Sequence, residues 1–299
     1  MARIGFVGLG AMGAPMARNL LAKGFAVRGF DTRTAAVEEL VAAGGEPAAD
    51  AAAAADGMEA LVLMVVNATQ AESVLFDVGA LERLPEGASV MLMATCPPGA
   101  VAALAARVAA TGRHLVDAPV SGGVVGARAG TLTIMAACPK AAFDAIRPVL
   151  AAMGDKVFHV GERAGQGATV KTVNQLLCGV HIAVAAEAFA LAAKVGVEIE
   201  VILEILSGSA AASWMLKDRG PRMLQAEPEV ASAVDIFVKD LGIVLEAGRE
   251  AKAALPLAAV AHQLFLATSG RGDGAADDSQ VIRTYALMNG TSRDWRDPT

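Results

Sequence analysis

The sequence predicts an α/β chain: a doubly wound, mainly parallel sheet in the first half, then an all-α C-terminal domain entered through a long interdomain helix. Three observations carry that expectation. Short apolar runs alternate with helix-length segments through the first 160 residues, the order that builds a parallel sheet covered on both faces. The run Leu61–Val66 is apolar at every position, as burial on both faces requires. From Gly167 onward strand signals stop and helical spacing takes over.

Taken in order, the strand candidates are Arg3–Val7, Ala26–Phe30, Ala60–Val66, Ser89–Met93 and His114–Asp117. Between them Met12–Lys23, Thr34–Ala43, Thr69–Asp77 and Pro98–Ala110 are long enough for helices. The alanine-rich patch Ala48–Ala55 reads as a helix start capped near Asp50. Thr131–Ala137 and Lys156–Val160 add two strands around a helix at Lys140–Met153. Helices are then expected at Gly167–Val195, Glu198–Leu206, Ala212–Leu224, Val234–Ala251 and Pro256–Ser269, with Gly270–Asp278 a polar loop. The glycines at 161 and 165 mark the boundary, giving a dinucleotide-binding domain over 1–163, a helical substrate and oligomerisation domain over 164–292, and a tail over 293–299.

Composition narrows the function. With 55% hydrophobic residues, 31 glycines and 4% aromatics, the core must rest on Ala, Val and Leu. The net charge is −6 and no basic block could neutralise a run of phosphates, so no nucleic-acid partner is expected. Cys96, Cys138 and Cys178 match no disulfide or metal spacing. That pattern, and an opening that reads as a strand rather than a signal sequence, point to the cytoplasm. His114, His159 and His262 show no ligand spacing, and no metal site is expected. The apolar stretch Leu176–Ala186 ends at Glu187, short of the ~18 residues a spanning helix needs. It is expected to be a buried helix, with no membrane partner, and Ala183, Val184, Ala185 and Ala186 suggest a homodimer or homotetramer interface.

Chemistry concentrates in three segments. Gly8-Leu9-Gly10-Ala11-Met12-Gly13 follows a strand and opens a helix. Gly8 permits the tight turn, Gly10 lets the backbone approach a pyrophosphate, and Gly13 allows close helix–strand packing. The helix N-terminus then holds the diphosphate. This is a Rossmann-type arrangement. Asp31, at the end of the second strand, is placed to accept the adenosine ribose hydroxyls, which favours NAD over NADP. Arg33 stands either as a solvated helix-start residue or as a group able to meet a phosphate. Second, Ser121-Gly122-Gly123 after Asp117-Ala118-Pro119-Val120 forms a turn whose N–H groups could hold a carboxylate or serve only the backbone. Third, Gly165-Gln166-Gly167-Ala168-Thr169-Val170-Lys171 enters the long helix, with Lys171 and Asn174 on one face. Lys171 stands as an active-site group or as a surface residue.

These motifs together resemble the β-hydroxyacid dehydrogenase family, which includes 3-hydroxyisobutyrate dehydrogenase. GFVGLGAMGAPMARNL, DAPVSGG, GQGATVKTVNQ and FVKDLG appear in family order. The resemblance implies NAD-dependent oxidation of a small hydroxy acid, with Lys171 as catalytic acid/base and Asn174 a substrate contact. It implies that Ser121, Gly122 and Gly123 bind the substrate carboxylate, and that Thr95 sits beside the nicotinamide. Lys239 would contact the cofactor, Asp240 would face the cleft, and Met64 through Val66 and Asn67 would lie against the dinucleotide. Gln175 replaces the usual second asparagine, and Ser232 stands where some relatives have an aromatic; both imply a pocket for a more polar acid. NQLLCGVHIAVAAEA resembles the branch that oxidises L-threonate. His181 reads as substrate contact or as helix packing, and Trp214 as cleft wall or as anchor.

Overall fold

The computed structural model describes residues 2–290. The tail expected over 293–299 lies outside them. Within this span the chain forms two compact units that divide between Thr172 and Val173.

In the first unit, β1 (Arg3–Val7), α1 (Gly13–Ala22), β2 (Ala26–Phe30), α2 (Thr34–Ala42) and the short β3 (Glu46–Pro47) are wound outward on one side of β1. After α3 (Ala51–Ala55) the chain returns, and β4 (Ala60–Leu63) pairs with the opposite edge of β1. There follow α4 (Ala68–Glu72), α5 (Ala80–Arg83), β5 (Ser89–Leu92), α6 (Pro98–Ala109) and β6 (His114–Asp117). All pairings from β3 to β6 are parallel. Beyond β6, β7 (Val120–Ser121), α7 (Gly123–Ala129), β8 (Thr133–Ala137), α8 (Lys140–Met153) and β9 (Lys156–Gly161) complete a nine-stranded sheet among the described residues. There β8 runs antiparallel to β6 and β7, and β9 parallel to β8. The expected doubly wound sheet is therefore present.

Strand alternation separates two cores. Ile4, Phe6, Val62, Met91 and Val116 pack on one face of the sheet, whereas Val7, Leu61, Leu63, Val90 and Leu92 pack on the other. Continuous apolar strands are what such a sheet demands, since each successive side chain enters a different core. The helix expected at Thr69–Asp77 is α4 followed by a π-turn at Ser73–Asp77. Asp50 caps α3 through the Ala53 N–H at 2.7 Å.

The second unit is helical, as expected. It takes most of α9 (Gln166–Lys194), then α10 (Ile199–Gly208), α11 (Trp214–Met223), α12 (Val234–Ala251), α13 (Pro256–Thr268) and α14 (Ile282–Met288). Its core joins Ala183, Ala186 and Phe189 of α9 to Phe237 and Leu241 of α12 and Phe265 of α13. Gly179 is required where α9 meets α12, because a Cβ there would fall 2.8 Å from Leu241.

Three expectations change here. α9 is long and apolar enough to cross a membrane by length and composition, so the apolar stretch exceeds Leu176–Ala186; its alanine face is nevertheless packed within the helical core. Ala183, Ala185 and Ala186 are buried in their own chain, and of that quartet only Val184 is exposed. Trp214 is not a buried anchor: it is half exposed at the first position of α11, while the adjacent Met215 is buried.

Candidate active site

The order of strands reverses between β1 and β4, and the glycine motif leaves β1 at that point. In open α/β sheets, such switch points open a crevice at the C-terminal ends of the strands. The three glycines do different work. Gly8 adopts φ +95, and a Cβ on it would lie 2.4 Å from the Met64 carbonyl oxygen. A Cβ on Gly13 would lie 1.9 Å from the Gly8 carbonyl oxygen, so the turn closes only without one. At Gly10 the space is open, the nearest atom being Arg33 Nη2 at 3.8 Å. That opening leaves room for a pyrophosphate against the backbone. No side chain caps α1 at Met12, so its first-turn N–H groups can meet an anion. Leu9 is buried and Ala11 exposed. These residues fit a dinucleotide.

Asp31 follows β2 and accepts the Leu9 N–H at 2.7 Å. Arg33 donates its own N–H to Asp31 Oδ1 at 2.9 Å, its Nε to the same oxygen at 3.1 Å, and Nη2 to the Leu9 carbonyl at 3.2 Å. Burial works against the Asp31 charge, but the Arg33 side chain and the Arg33 and Leu9 N–H groups hold its carboxyl below the usual range. Asp31 is thus an ionised acceptor beside the glycine turn.

The remaining first-unit residues lie along the same strand ends. Past β4, Val66 is exposed, and Asn67 caps α4 by accepting the Gln70 N–H at 2.9 Å. Thr95 follows β5, flanked by buried Ala94 and Cys96. Ser121 ends β7, and Gly122 (φ +122) and Gly123 (φ +60) turn the chain into α7. Neither glycine position suits a side-chain-bearing residue.

The start of α9 reaches this edge through a residue that sequence reasoning passed over. Asp117, the last residue of β6, accepts the Gly165 N–H at 2.8 Å and the Ala168 N–H at 2.9 Å. Its place in DAPVSGG gave no sign of this, because its partners are 48 and 51 residues away. Lys171, three residues beyond Ala168, is buried. By compact division it belongs with the sheet rather than with the helices.

In the second unit, Asn174, Lys239 and Asp240 are joined by Gln175. Asn174 Nδ2 donates to Gln175 Oε1 at 2.9 Å, Gln175 Nε2 donates to Asp240 Oδ2, and Lys239 Nζ pairs with Asp240 Oδ1 at 2.7 Å. Asp240 is buried and serves these two partners, so the Gln175 departure has an internal use. His181 is half-buried on α9. His159 stacks on Phe143, and its Nε2 lies 2.8 Å from the Cys138 carbonyl.

Residues 3–161 match the NAD binding domain of 6-phosphogluconate dehydrogenase. Residues 165–285 match the NAD-binding region of NADP-dependent 3-hydroxyisobutyrate dehydrogenase. The chain is 44% identical to L-threonate dehydrogenase of Cupriavidus necator, over 94% of this chain and 95% of that one. It is 38% identical to 2-(hydroxymethyl)glutarate dehydrogenase of Eubacterium barkeri, over 97% of both. The crystal structure of 3-hydroxyisobutyrate dehydrogenase from Salmonella typhimurium is similar with a TM-score of 0.91 and 41% identity, covering 95% of this chain and 99% of that chain. Glycine turn, Asp31 carboxylate and lysine-bearing helix thus occur in a chain related over nearly its whole length to such enzymes, and it belongs to the 3-hydroxyisobutyrate dehydrogenase-like family of NAD-dependent hydroxyacid dehydrogenases.

Proposed function

We propose that the chain oxidises L-threonate to 2-dehydro-L-erythronate, with Lys171 as the general base. The observation that carries this reading is Lys171 itself. It is a buried lysine one turn above an amide pinned to the C-terminal edge of the sheet, the edge that also bears the glycine turn. Identities of 39–44% to several L-threonate dehydrogenases support the choice of acid.

NAD, when bound, supplies the hydride acceptor. The chain's own residues do the rest. Asp31 receives the adenosine ribose, and the open face of Gly10 receives the diphosphate. Ser121 and the N–H groups of Gly122 and Gly123 hold the substrate carboxylate, and Asn174 orients a hydroxyl. Neutral Lys171 takes the hydroxyl proton during oxidation and returns it as an ammonium during reduction. A free lysine titrates near ~10.4, so oxidation should quicken toward alkaline pH.

A panel of C3 to C5 hydroxy acids, assayed with NAD and NADP by absorbance of the reduced cofactor, tests the reading. L-threonate with NAD should give the highest kcat/KM. A higher value for 3-hydroxyisobutyrate, the substrate named for the Salmonella relative, would replace the acid and keep the mechanism. Tight NADH binding with no turnover on any acid would leave a non-catalytic dinucleotide-binding module.

The compartment we assign is the cytoplasm, and the assembly a homo-oligomer. Val170, Val173, Leu177, Val184 and Leu191 form an exposed apolar stripe along α9, continued by Val195 just past its end, and a second copy would cover it. A light-scattering mass near 30.3 kDa at micromolar concentration would overturn that.

A further inference from the structure

Asp117 is 1% exposed and spends its carboxylate on backbone alone. Besides Gly165 and Ala168, the Gly167 N–H bears on it. The approach is built into the sequence on both sides. A Cβ on Gly167 would lie 2.7 Å from the Asp117 carbonyl oxygen, 3.0 Å from its carboxyl carbon and 2.5 Å from the Met135 carbonyl oxygen. Gly165 holds φ +96 with Pro98 oxygen 3.0 Å from where its Cβ would be. Two glycines therefore seat this helix start directly on the strand end. An ordinary helix cap comes from a residue next to the helix; this one comes from a strand of the parallel sheet. It ties the first turn of α9 to a strand that is paired on both sides. Ala168, whose amide it holds, and Lys171 are three apart on one helix face.

We propose that Asp117 is a positioning residue for the dehydrogenase reaction: its ionised carboxylate fixes the first turn of α9 and thereby the placing of Lys171. The proposal rests on the reading of Lys171 as the proton carrier. Charge matters because N–H donors bind a carboxylate about twice as strongly as a neutral oxygen. Burial pushes Asp117 up to about 6, against the three N–H groups that lower it. The Cys138 thiol, at the end of β8, is pushed up to about 11 by burial and by the Asp117 charge, and so stays neutral. Glu162 and Arg163, before Gly165, are solvent-exposed.

The test is the ratio of wild-type to Asp117→Asn kcat for L-threonate oxidation, measured from pH 5 to pH 9. Taking the ratio removes what the two pH profiles share. The expected ratio is about tenfold at pH 8, the loss of one charge-assisted contact, and it falls toward one between about pH 6 and pH 5 as the wild type takes up its own proton. NADH affinity should be equal in the two proteins. A ratio of one at pH 8, or a ratio that does not change with pH, overturns the proposal. Should Asp117→Asn fail to fold, the wild type decides alone. Its log kcat must fall with a slope above one between about pH 6 and pH 5, where protonation of Asp117 removes the same tenfold, and a slope of one throughout overturns it. Lys171→Ala separates the two readings. If it retains turnover, Lys171 is not the proton carrier and the positioning role falls with it. If it is inactive while the ratio is flat, only the role of Asp117 falls.

Discussion

At the C-terminal edge of the sheet, buried or half-buried carboxylates are held by backbone N–H groups: Leu9 and Arg33 on Asp31, Gly165 and Ala168 on Asp117. In the helical unit guanidinium groups take on most of that task, with the Ala231 and Ser279 N–H groups beside Arg222 on Asp277. Arg219 reaches both oxygens of Asp278 at 3.0 and 2.8 Å, Arg222 reaches Asp277 at 2.7 Å, and Arg283 reaches Asp273 at 2.9 Å. Backbone donors demand close approach and therefore glycine at fixed positions. Guanidinium–carboxylate pairs demand only reach. The glycines of the first region therefore mark part of its construction in the sequence, whereas the second region hides its own.

The largest expected effect breaks the hidden construction. Asp278 is wholly buried, and burial pushes its carboxyl up against the pull of Arg219. Arg219→Met leaves that carboxylate without its bidentate partner and should cost about 3–5 kcal/mol. Calorimetric melting measures it. The double variant Arg219→Met with Asp278→Leu should recover most of the loss, because a matched apolar pair replaces a buried ion pair at little cost. A single variant that melts with the wild type would show the network to be ornamental.

The same difference explains what was legible beforehand. The strands at Arg3–Val7, Ala26–Phe30 and His114–Asp117, and the helices at Lys140–Met153 and Val234–Ala251, have the boundaries that periodicity gives. The glycine turn could be read because Gly8, Gly10 and Gly13 each leave a mark at a fixed spacing. The segment Gly270–Asp278 could not. Its glycines and acids look like a solvated loop, yet Asp273, Asp277 and Asp278 are buried under arginines 50 or more positions away or on the next helix. α7 was missed because SGG reads as a turn, and the turn runs straight into a helix only seven residues long. Asp117 and its cap of α9 link positions about 50 apart, beyond any local pattern.

Lys171→Ala should lower kcat by at least ~10², about 2.7 kcal/mol, while the NADH dissociation constant stays near wild type. Lys171→Arg should not rescue it, since a guanidinium does not release its proton near neutral pH. Lys239→Ala should weaken cofactor binding more than it slows chemistry. Turnover above a third of wild type in Lys171→Ala would remove the catalytic assignment. The backbone-built edge would then hold a cofactor without the acid/base group.

Asp117 also gives a pH signature of stability opposite to that of an ordinary paired carboxylate. Its folded value, about 6, lies above the unfolded value near ~3.9. The folded state therefore binds the proton more tightly, and this contribution is fully present below pH ~4. It is lost as pH rises through about 6. Asp117→Asn, which has no proton to lose, should gain on the wild type over that interval, by on the order of 2 kcal/mol. Melting temperatures at pH 4.5 and pH 7.5 measure it. A constant difference would mean that the three N–H groups outweigh burial.

The smallest effect concerns Asp31 and Arg33, where a side chain intrudes on the backbone-built edge. A carboxylate has about four acceptor positions. On Asp31 the Leu9 N–H, the Arg33 N–H, Nε and, at 3.4 Å, Nη2 all bear on them. Ribose hydroxyls can reach this carboxylate only as the Arg33 guanidinium moves off. The side chain of Arg33 is 62% exposed, so it can rotate into solvent without breaking packing. A 2′-phosphate would meet the remaining negative charge of Asp31, with the displaced guanidinium as a partial counterweight. NAD should therefore be preferred over NADP by at least ~10-fold in kcat/KM, about 1.4 kcal/mol. Arg33→Ala should widen that preference by weakening NADP, and should leave NADH binding equal or tighter, because no internal contact has to be broken first. Asp31→Asn should narrow it. Fluorescence titration with NADH and NADPH, beside steady-state assays, reads each of these shifts. Equal use of the two cofactors by the wild type would mean that Arg33, not Asp31, decides what the adenosine pocket accepts.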